Sequence, residues 1–211
     1  WAQKGYTLSG DQVQAYVPKQ MIEWLNTKTK MEGDYNWGLA PHVYGYHLAQ
    51  AGVYYLDTYK NPKSNLGHGD WYGGRNVGMT NDYNTTSKLT FSNLELLDDY
   101  LNQDGLKFGD TVRSVYLTES GVSSYWNGQL YGGENIQAGI IASAYYKISQ
   151  LDSIKAFSYY RAFDNQEEAA SYAVFGLVKN DFKTTPSIEA KPAYNVYKYI
   201  DTQYSQYVAN K

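Results

Sequence analysis

Cysteine is absent from the 211 residues. That excludes a disulfide framework, a thiolate metal site and a cysteine nucleophile; it fits a bacterial exported protein, but a cytosolic protein can also lack cysteine, so the compartment stays open. A basic excess is also missing: 18 Lys and Arg stand against 21 Asp and Glu, a net charge of −3. Nucleic-acid binders normally carry a strongly basic face, so no nucleic-acid partner is expected. Long apolar runs are missing too. The longest uncharged, apolar-leaning stretch, Ile136–Tyr146, is well short of the roughly 20 residues that span a bilayer, so no membrane span is expected. No N-terminal basic patch precedes an apolar run, so no signal peptide is expected. Of the histidines His42, His47 and His68, the first two are five apart; helical zinc pairs sit at i and i+4, and no metal is expected. No strand is followed by G-x-G-x-x-G and no Gly-x-Lys-Ser loop is present, which lowers the dinucleotide and nucleotide readings; no cofactor is expected.

What remains is an apolar fraction of 43%, too high for disorder, and an aromatic fraction of 17%, with 24 Tyr and 5 Trp. Tyr and Trp combine a flat apolar face with a hydrogen-bonding edge. Such surfaces suit sugar rings, which pair apolar C–H faces with polar rims.

The chain reads as a single domain over residues 1–211, without internal repeat or linker. From Pro18, tolerated in a first turn, Met21, Ile22 and Leu25 recur at helical spacing, and Gly33 closes the helix after Lys28 and Lys30. Tyr35–Tyr44 reads as a buried strand with a loop at Pro41. The stretch from Gly45 to Leu89 has weak periodicity, and its Gly-rich centre, Gly67–Arg75, is a loop. Ser92-Asn-Leu-Glu95 has the spacing of a capping box for a helix through Leu101. Thr111–Leu117 is a strand running into Thr118-Glu-Ser-Gly121. Asn135–Leu151 is a helix with a small-residue face (Ala138, Gly139, Ala142, Ala144) expected to lie close on a sheet. Ile154–Tyr160 is the next strand, Val174–Val178 a short extra one, and Pro192–Tyr204 a closing helix.

Strands alternating with helices imply an α/β fold with a parallel sheet, either an open doubly wound sheet or a (β/α)8 barrel. His42, Glu119 and Arg161 sit at the C-terminal ends of the three strands, where barrels place their active sites. The strands Trp37–Val43, Val112–Leu117 and Ile154–Tyr160 are expected to be adjacent and parallel in chain order, with helices on one side.

Several segments carry a resemblance: Glu32–Tyr44, Phe91–Leu101, Val115–Gly121, Gln137–Lys147, Ile154–Arg161 with Asp164, Gly176–Val178 and Lys191–Tyr194. In these the chain resembles the second half of a clan-A-type glycoside hydrolase barrel, and more narrowly a bacterial family of uncharacterised glycosidases. The resemblance implies that the three strands are strands six to eight of a TIM (β/α)8 barrel and that strands one to five lie before Trp1. It implies retaining hydrolysis by double displacement, with Glu119 after strand seven as the nucleophile. The general acid/base of this clan follows strand four, usually within Asn-Glu, and no Asn-Glu dipeptide occurs in this chain.

Retaining hydrolysis needs one carboxylate to attack the anomeric carbon and a second about 5–5.5 Å away to protonate the leaving oxygen. Glu119, beside Ser120 and Gly121 where the backbone can turn, suits the first role. His42 and Tyr44 suit hydrogen bonds to a sugar hydroxyl or to the nucleophile. Tyr160 at the end of strand eight, and Arg161 and Asp164 after it, are candidate substrate contacts. Arg161 suits binding a substrate oxygen through its planar fork or holding the nucleophile ionised, and the bland alternative is a structural pair with Asp164. Trp71, Tyr72 and Trp126, in Gly-rich loops, are candidates for stacking on sugar rings. Asp164, Glu167 or Glu168 are the carboxylates that would replace the missing acid. The expected partner is an oligo- or polysaccharide, met outside the cell or at its surface. Open sheet edges are costly, so an N-terminal half, another chain or a dimer partner is expected to cover the edge near Trp37. A non-catalytic carbohydrate-binding module derived from such a barrel is the competing reading.

Overall fold

The structure, a computed structural model, describes residues 1, 17–44, 80–86, 89–126, 128–170, 173–180 and 188–205. Helix α1 spans Pro18–Met31, with Pro in its first turn and Lys28 and Lys30 in its last. Strand β1, His42–Tyr44, is followed by a short 3₁₀ turn, Phe91–Asn93, and by α2, Glu95–Leu101. Strand β2, Val115–Gly121, leads to α3, Glu134–Ile148, and β3, Ile154–Tyr159. The chain closes with α4 (Gln166–Ala170), β4 (Val178–Asn180), β5 (Ile188–Ala190) and α5 (Pro192–Tyr199).

This is a mixed α/β fold around a three-stranded parallel sheet in the order β1-β2-β3. The expected adjacency, direction and chain order of the three strands are those observed. One face is covered: Val43, Val115 and Leu117 are buried with Leu97, Leu101, Ile140, Ile141 and Val196 from the helices. Full burial of such a side chain contributes about 1.5–3 kcal/mol. On β2 the intervening Tyr116 and Thr118 are exposed, as strand alternation requires of a sheet with one covered face. No described helix is long and apolar enough to cross a membrane.

Several boundaries differ from the sequence expectation. The strand expected over Tyr35–Tyr44 is reduced to a bridge between Leu39 and Val115 and to His42–Tyr44; Pro41 has no N–H to offer the ladder between them. Thr111 is not in β2 but turns back on Phe108 in two backbone bonds of 3.0 Å, with Gly109 at φ 57°. The helix begins later than the capping-box spacing expects. Leu94 is the N-cap and makes no side-chain cap, and Glu95 instead reaches Lys147 of α3 at 2.6 Å. The small-residue face of α3 is split, with Ala138 and Ala144 buried and Gly139 and Ala142 half-buried; Ile140 and Ile141 carry the contact with the core. The extra strand lies later than Val174–Val178 and pairs antiparallel with β5. Helix α5 stops at Tyr199 rather than Tyr204.

Two buried cations tie the sheet ends together. Below the sheet, Arg113 has no exposed surface. Its Nε donates to Leu106 O at 2.7 Å, Nη1 to Tyr35 O at 2.7 Å and Nη2 to Asp34 Oδ1 at 2.8 Å, and the guanidinium lies 4.2 Å from the Trp37 ring centroid. Trp37, near which a covering partner is expected, is thus buried by its own chain. At the other end, Lys191 at the start of α5 meets both carboxylate oxygens of Asp164, at 3.0 and 2.9 Å, and Ser124 Oγ at 3.1 Å. Asp164 Oδ1 also accepts the Gly176 N–H at 2.7 Å. Burial pushes the Lys191 ammonium below its ordinary value, with Asp164 opposing.

Removing one partner of a buried pair strands the other charge, which costs about 3–5 kcal/mol, whereas an apolar replacement of both is far milder. Asp164→Ala is therefore expected to lower the urea-unfolding free energy by that amount, and Asp164→Leu with Lys191→Met to restore most of it. Equal losses in the single and the double variant would contradict this role for the pair.

Candidate functional site at the C-terminal rim of the sheet

The rim is built by the ends of the three strands. In the β1–β2 register His42 stands beside Glu119 and Tyr44 beside Gly121. Between β2 and β3 the register shifts between Leu117, opposite Phe157, and Ser120, opposite Tyr159. Strict alternation would carry Glu119 to the side of Val115 and Leu117, into the helix layer. The extra residue in β2 releases it, as bulges do when they re-aim a side chain. Glu119 emerges with 37% of its side chain exposed.

One oxygen of that carboxylate is occupied. Tyr44 donates its hydroxyl to Glu119 Oε1 in a short bond. His42 Nδ1 lies 3.6 Å from the same oxygen, beyond hydrogen-bond length, with its side chain 55% exposed. Oε2 has no hydrogen-bond partner among the described residues. Burial, and next the bond to Glu119, raises the Tyr44 phenol well above its ordinary range.

A second tyrosine–glutamate pair stands across from the first. Tyr160, immediately after β3, donates its hydroxyl to Glu168 Oε1 of α4. Arg161 Nη1 donates to the Tyr160 hydroxyl at 3.3 Å and pairs with Glu168 at 3.3 Å. The hydrogen bond to Glu168, ahead of burial, raises the Tyr160 phenol. The Tyr160–Arg161 peptide is cis. The rings of Tyr44, Tyr160 and Phe175 meet edge to face, with centroids 5.4, 6.0 and 6.3 Å apart, a favoured aromatic geometry.

The structure thus brings together Glu119, His42, Tyr44, Tyr160 and Arg161. It places Asp164 elsewhere: its carboxylate is buried on Lys191, so Arg161 pairs with Glu168 instead. Trp126 sits in a tight turn, bonded through its backbone in both directions to Gln129 at 2.9 Å, and packs half-buried on the core. Trp71 and Tyr72 lie outside the described residues. Among the described residues no cluster of three or more His, Asp or Glu side chains could hold a metal ion. Phe175, which carries no polar group, was not legible as a rim residue; Glu168, named in the sequence as a candidate acid, is found bracing Tyr160 and Arg161.

A sequence model of a family of unknown function (DUF5722) matches residues 2–211. No curated protein and no solved structure matches the chain.

Several phenols share the upward shift. Burial raises Tyr159 and Tyr100, and Tyr145 is pushed up to about 12, mainly by its hydrogen bond to Asp201. Folded values above the unfolded value of about 10 give stability that is complete below that pH and lost as pH rises through the folded values. Native protein at pH near 11 is therefore expected to show fewer phenolates by ultraviolet absorbance than the same protein in urea, and to lose stability steeply above about pH 10. Coincident native and unfolded titrations would contradict the burial and bonding of these hydroxyls.

Proposed function

We propose that this chain, which belongs to the DUF5722 family, is the C-terminal part of a retaining glycoside hydrolase, with Glu119 as the nucleophile. The observation that carries this reading is the asymmetry of the carboxylate at the rim of a parallel sheet: Tyr44 holds Oε1, while Oε2 has no hydrogen-bond partner among the described residues. The three parallel strands, with helices on the covered face, support their assignment as strands six to eight of a (β/α)8 barrel. Barrel active sites lie at this rim. The carbohydrate partner and the extracellular or cell-surface setting belong to the same proposal.

In the first displacement, a lone pair of Glu119 Oε2 forms the bond to the anomeric carbon as the glycosidic C–O bond breaks. The leaving oxygen takes its proton from a second carboxylic acid; in the second displacement water gives a proton back to that carboxylate as its oxygen attacks the same carbon, and Glu119 leaves as carboxylate. The Tyr44 hydroxyl fixes the orientation of Oε2 and shares the negative charge that returns to the carboxylate. Tyr160, locked by Glu168 and Arg161, offers a rigid aromatic wall at little ordering cost. Glu168 is engaged in that brace and is not assigned the acid role.

Glu119→Gln in the full-length protein keeps the side chain's shape but removes the nucleophilic oxygen. Turnover of an aryl glycoside is expected to fall by more than about a thousandfold, on the order of 4 kcal/mol in the barrier. Glu119→Ala with added azide should regain turnover and release a glycosyl azide of inverted anomeric configuration. A Glu119→Gln protein that keeps more than about a tenth of native turnover, under 1.4 kcal/mol, would reduce Glu119 to a binding or structural residue.

A further inference from the structure

Gly121 ends β2 two residues beyond Glu119, at the point where the three rim rings converge. Its φ lies outside the left-handed region, so backbone freedom is not what requires glycine there. Space is. A β-carbon at this position would overlap the carbonyl oxygen of Tyr160, and it would stand 3.3 Å from Phe175 Cδ1 and 3.4 Å from Tyr44 Cε1. The first neighbour is backbone, held in place by the Tyr160 N–H bond to Ser120 O at 2.7 Å, so it cannot swing aside as a side chain can. The Tyr44 contact would be an ordinary one, but Phe175 would have to give by a few tenths of an ångström, and it cannot retreat without moving Tyr44, on which it packs at 5.4 Å.

We infer that Gly121 is a positioning residue for Glu119: the missing side chain lets the Tyr160 carbonyl and the Phe175 ring close on the end of β2, and the Tyr160 and Phe175 rings hold the Tyr44 ring where its hydroxyl reaches Oε1. The link runs through packing alone. Tyr44 sits opposite Gly121 in the β1–β2 register, while its hydroxyl extends to Glu119, two residues earlier on the same strand. The ring must therefore cross the face of residue 121 to make the bond, and it does so packed edge to face against Phe175 and Tyr160, the two residues that close on the bare Gly121 α-carbon. The same space seats Phe175, edge to face with Tyr44, and sets the approach of the Tyr160 backbone. One small residue at the end of the central strand thus fixes both the orientation of the carboxylate and the ring facing it.

This inference rests on the reading of Glu119 as nucleophile, but its test needs no turnover. 3-Fluorotyrosine is placed at position 44 of the full-length protein, and its ionisation is followed by fluorine NMR against pH. In the native background the phenol is expected to titrate about one pH unit above its value in Glu119→Gln, where the charged acceptor is gone. Gly121→Ala is expected to bring the native value down to that of Glu119→Gln, and the two changes together to lower it no further, because both remove one contact. Phe175→Leu, which relieves pressure on Tyr44 without adding an atom at 121, is expected to lower it part of the way and decides the matter where Gly121→Ala does not fold. A folded Gly121→Ala protein with the native Tyr44 titration, or a Phe175→Leu protein with no change, would overturn the positioning role. Should no glycosyl-enzyme ever form on Glu119 while the titrations move as stated, the nucleophile reading fails and the packing role of Gly121 stands.

Discussion

The pairing of β2 on both its edges is the constraint on which the rest of the molecule depends. Its register against β1 brings His42 to Glu119 and Tyr44 to Gly121, and its shifted register against β3 turns Glu119 out of the helix layer. A one-residue slip in either ladder would send the carboxylate to the opposite face. The covered face resists such a slip, because Val115 and Leu117 would then leave the core formed with α2 and α3. Packing of apolar side chains on one face of the sheet thus fixes a carboxylate at its rim.

Buried charges pin the ladder at both ends. Arg113 gathers two backbone carbonyls and Asp34 below β2, which fixes where the strand begins and holds Trp37 under the guanidinium. Lys191 binds Asp164 and Ser124 above it, linking the start of α5 to the segments that follow β2 and β3. Buried pairs add little net stability compared with apolar substitutes, but leaving either unsatisfied is costly, so they select one arrangement over its competitors. Here the selected arrangement keeps Tyr160, Phe175 and Gly176 in register with the rim, since Gly176 donates its N–H to the Asp164 carboxylate.

The parallel order of the three strands and the rim positions of His42, Glu119 and Arg161 were legible in the sequence, because β-branched and aromatic runs ending in polar residues carry that information locally. The pairings were not. Asp164 stands three residues from Arg161 and looks like its partner, yet Lys191, distant in sequence, takes it once α5 packs. Glu95 has capping-box spacing but finds Lys147 on α3 instead, a contact that exists only after the helices meet. Phe175 and Gly121 carry no chemistry of their own, and their part in the rim follows from distances set by three separate strands. The spacing that made Thr111 look like strand is overridden by a turn onto Phe108.

If Glu119 is the nucleophile, its Oε2 forms a covalent bond to the anomeric carbon of the sugar. Incubation of the full-length protein with a panel of dinitrophenyl 2-deoxy-2-fluoroglycosides tests it most directly, since the good leaving group removes the need for a general acid and the fluorine slows hydrolysis of the intermediate. The account predicts a mass increase of one fluorosugar, located by peptide mapping on Glu119 and absent in Glu119→Gln. A label on another carboxylate, or bound sugar with no covalent adduct, would contradict it.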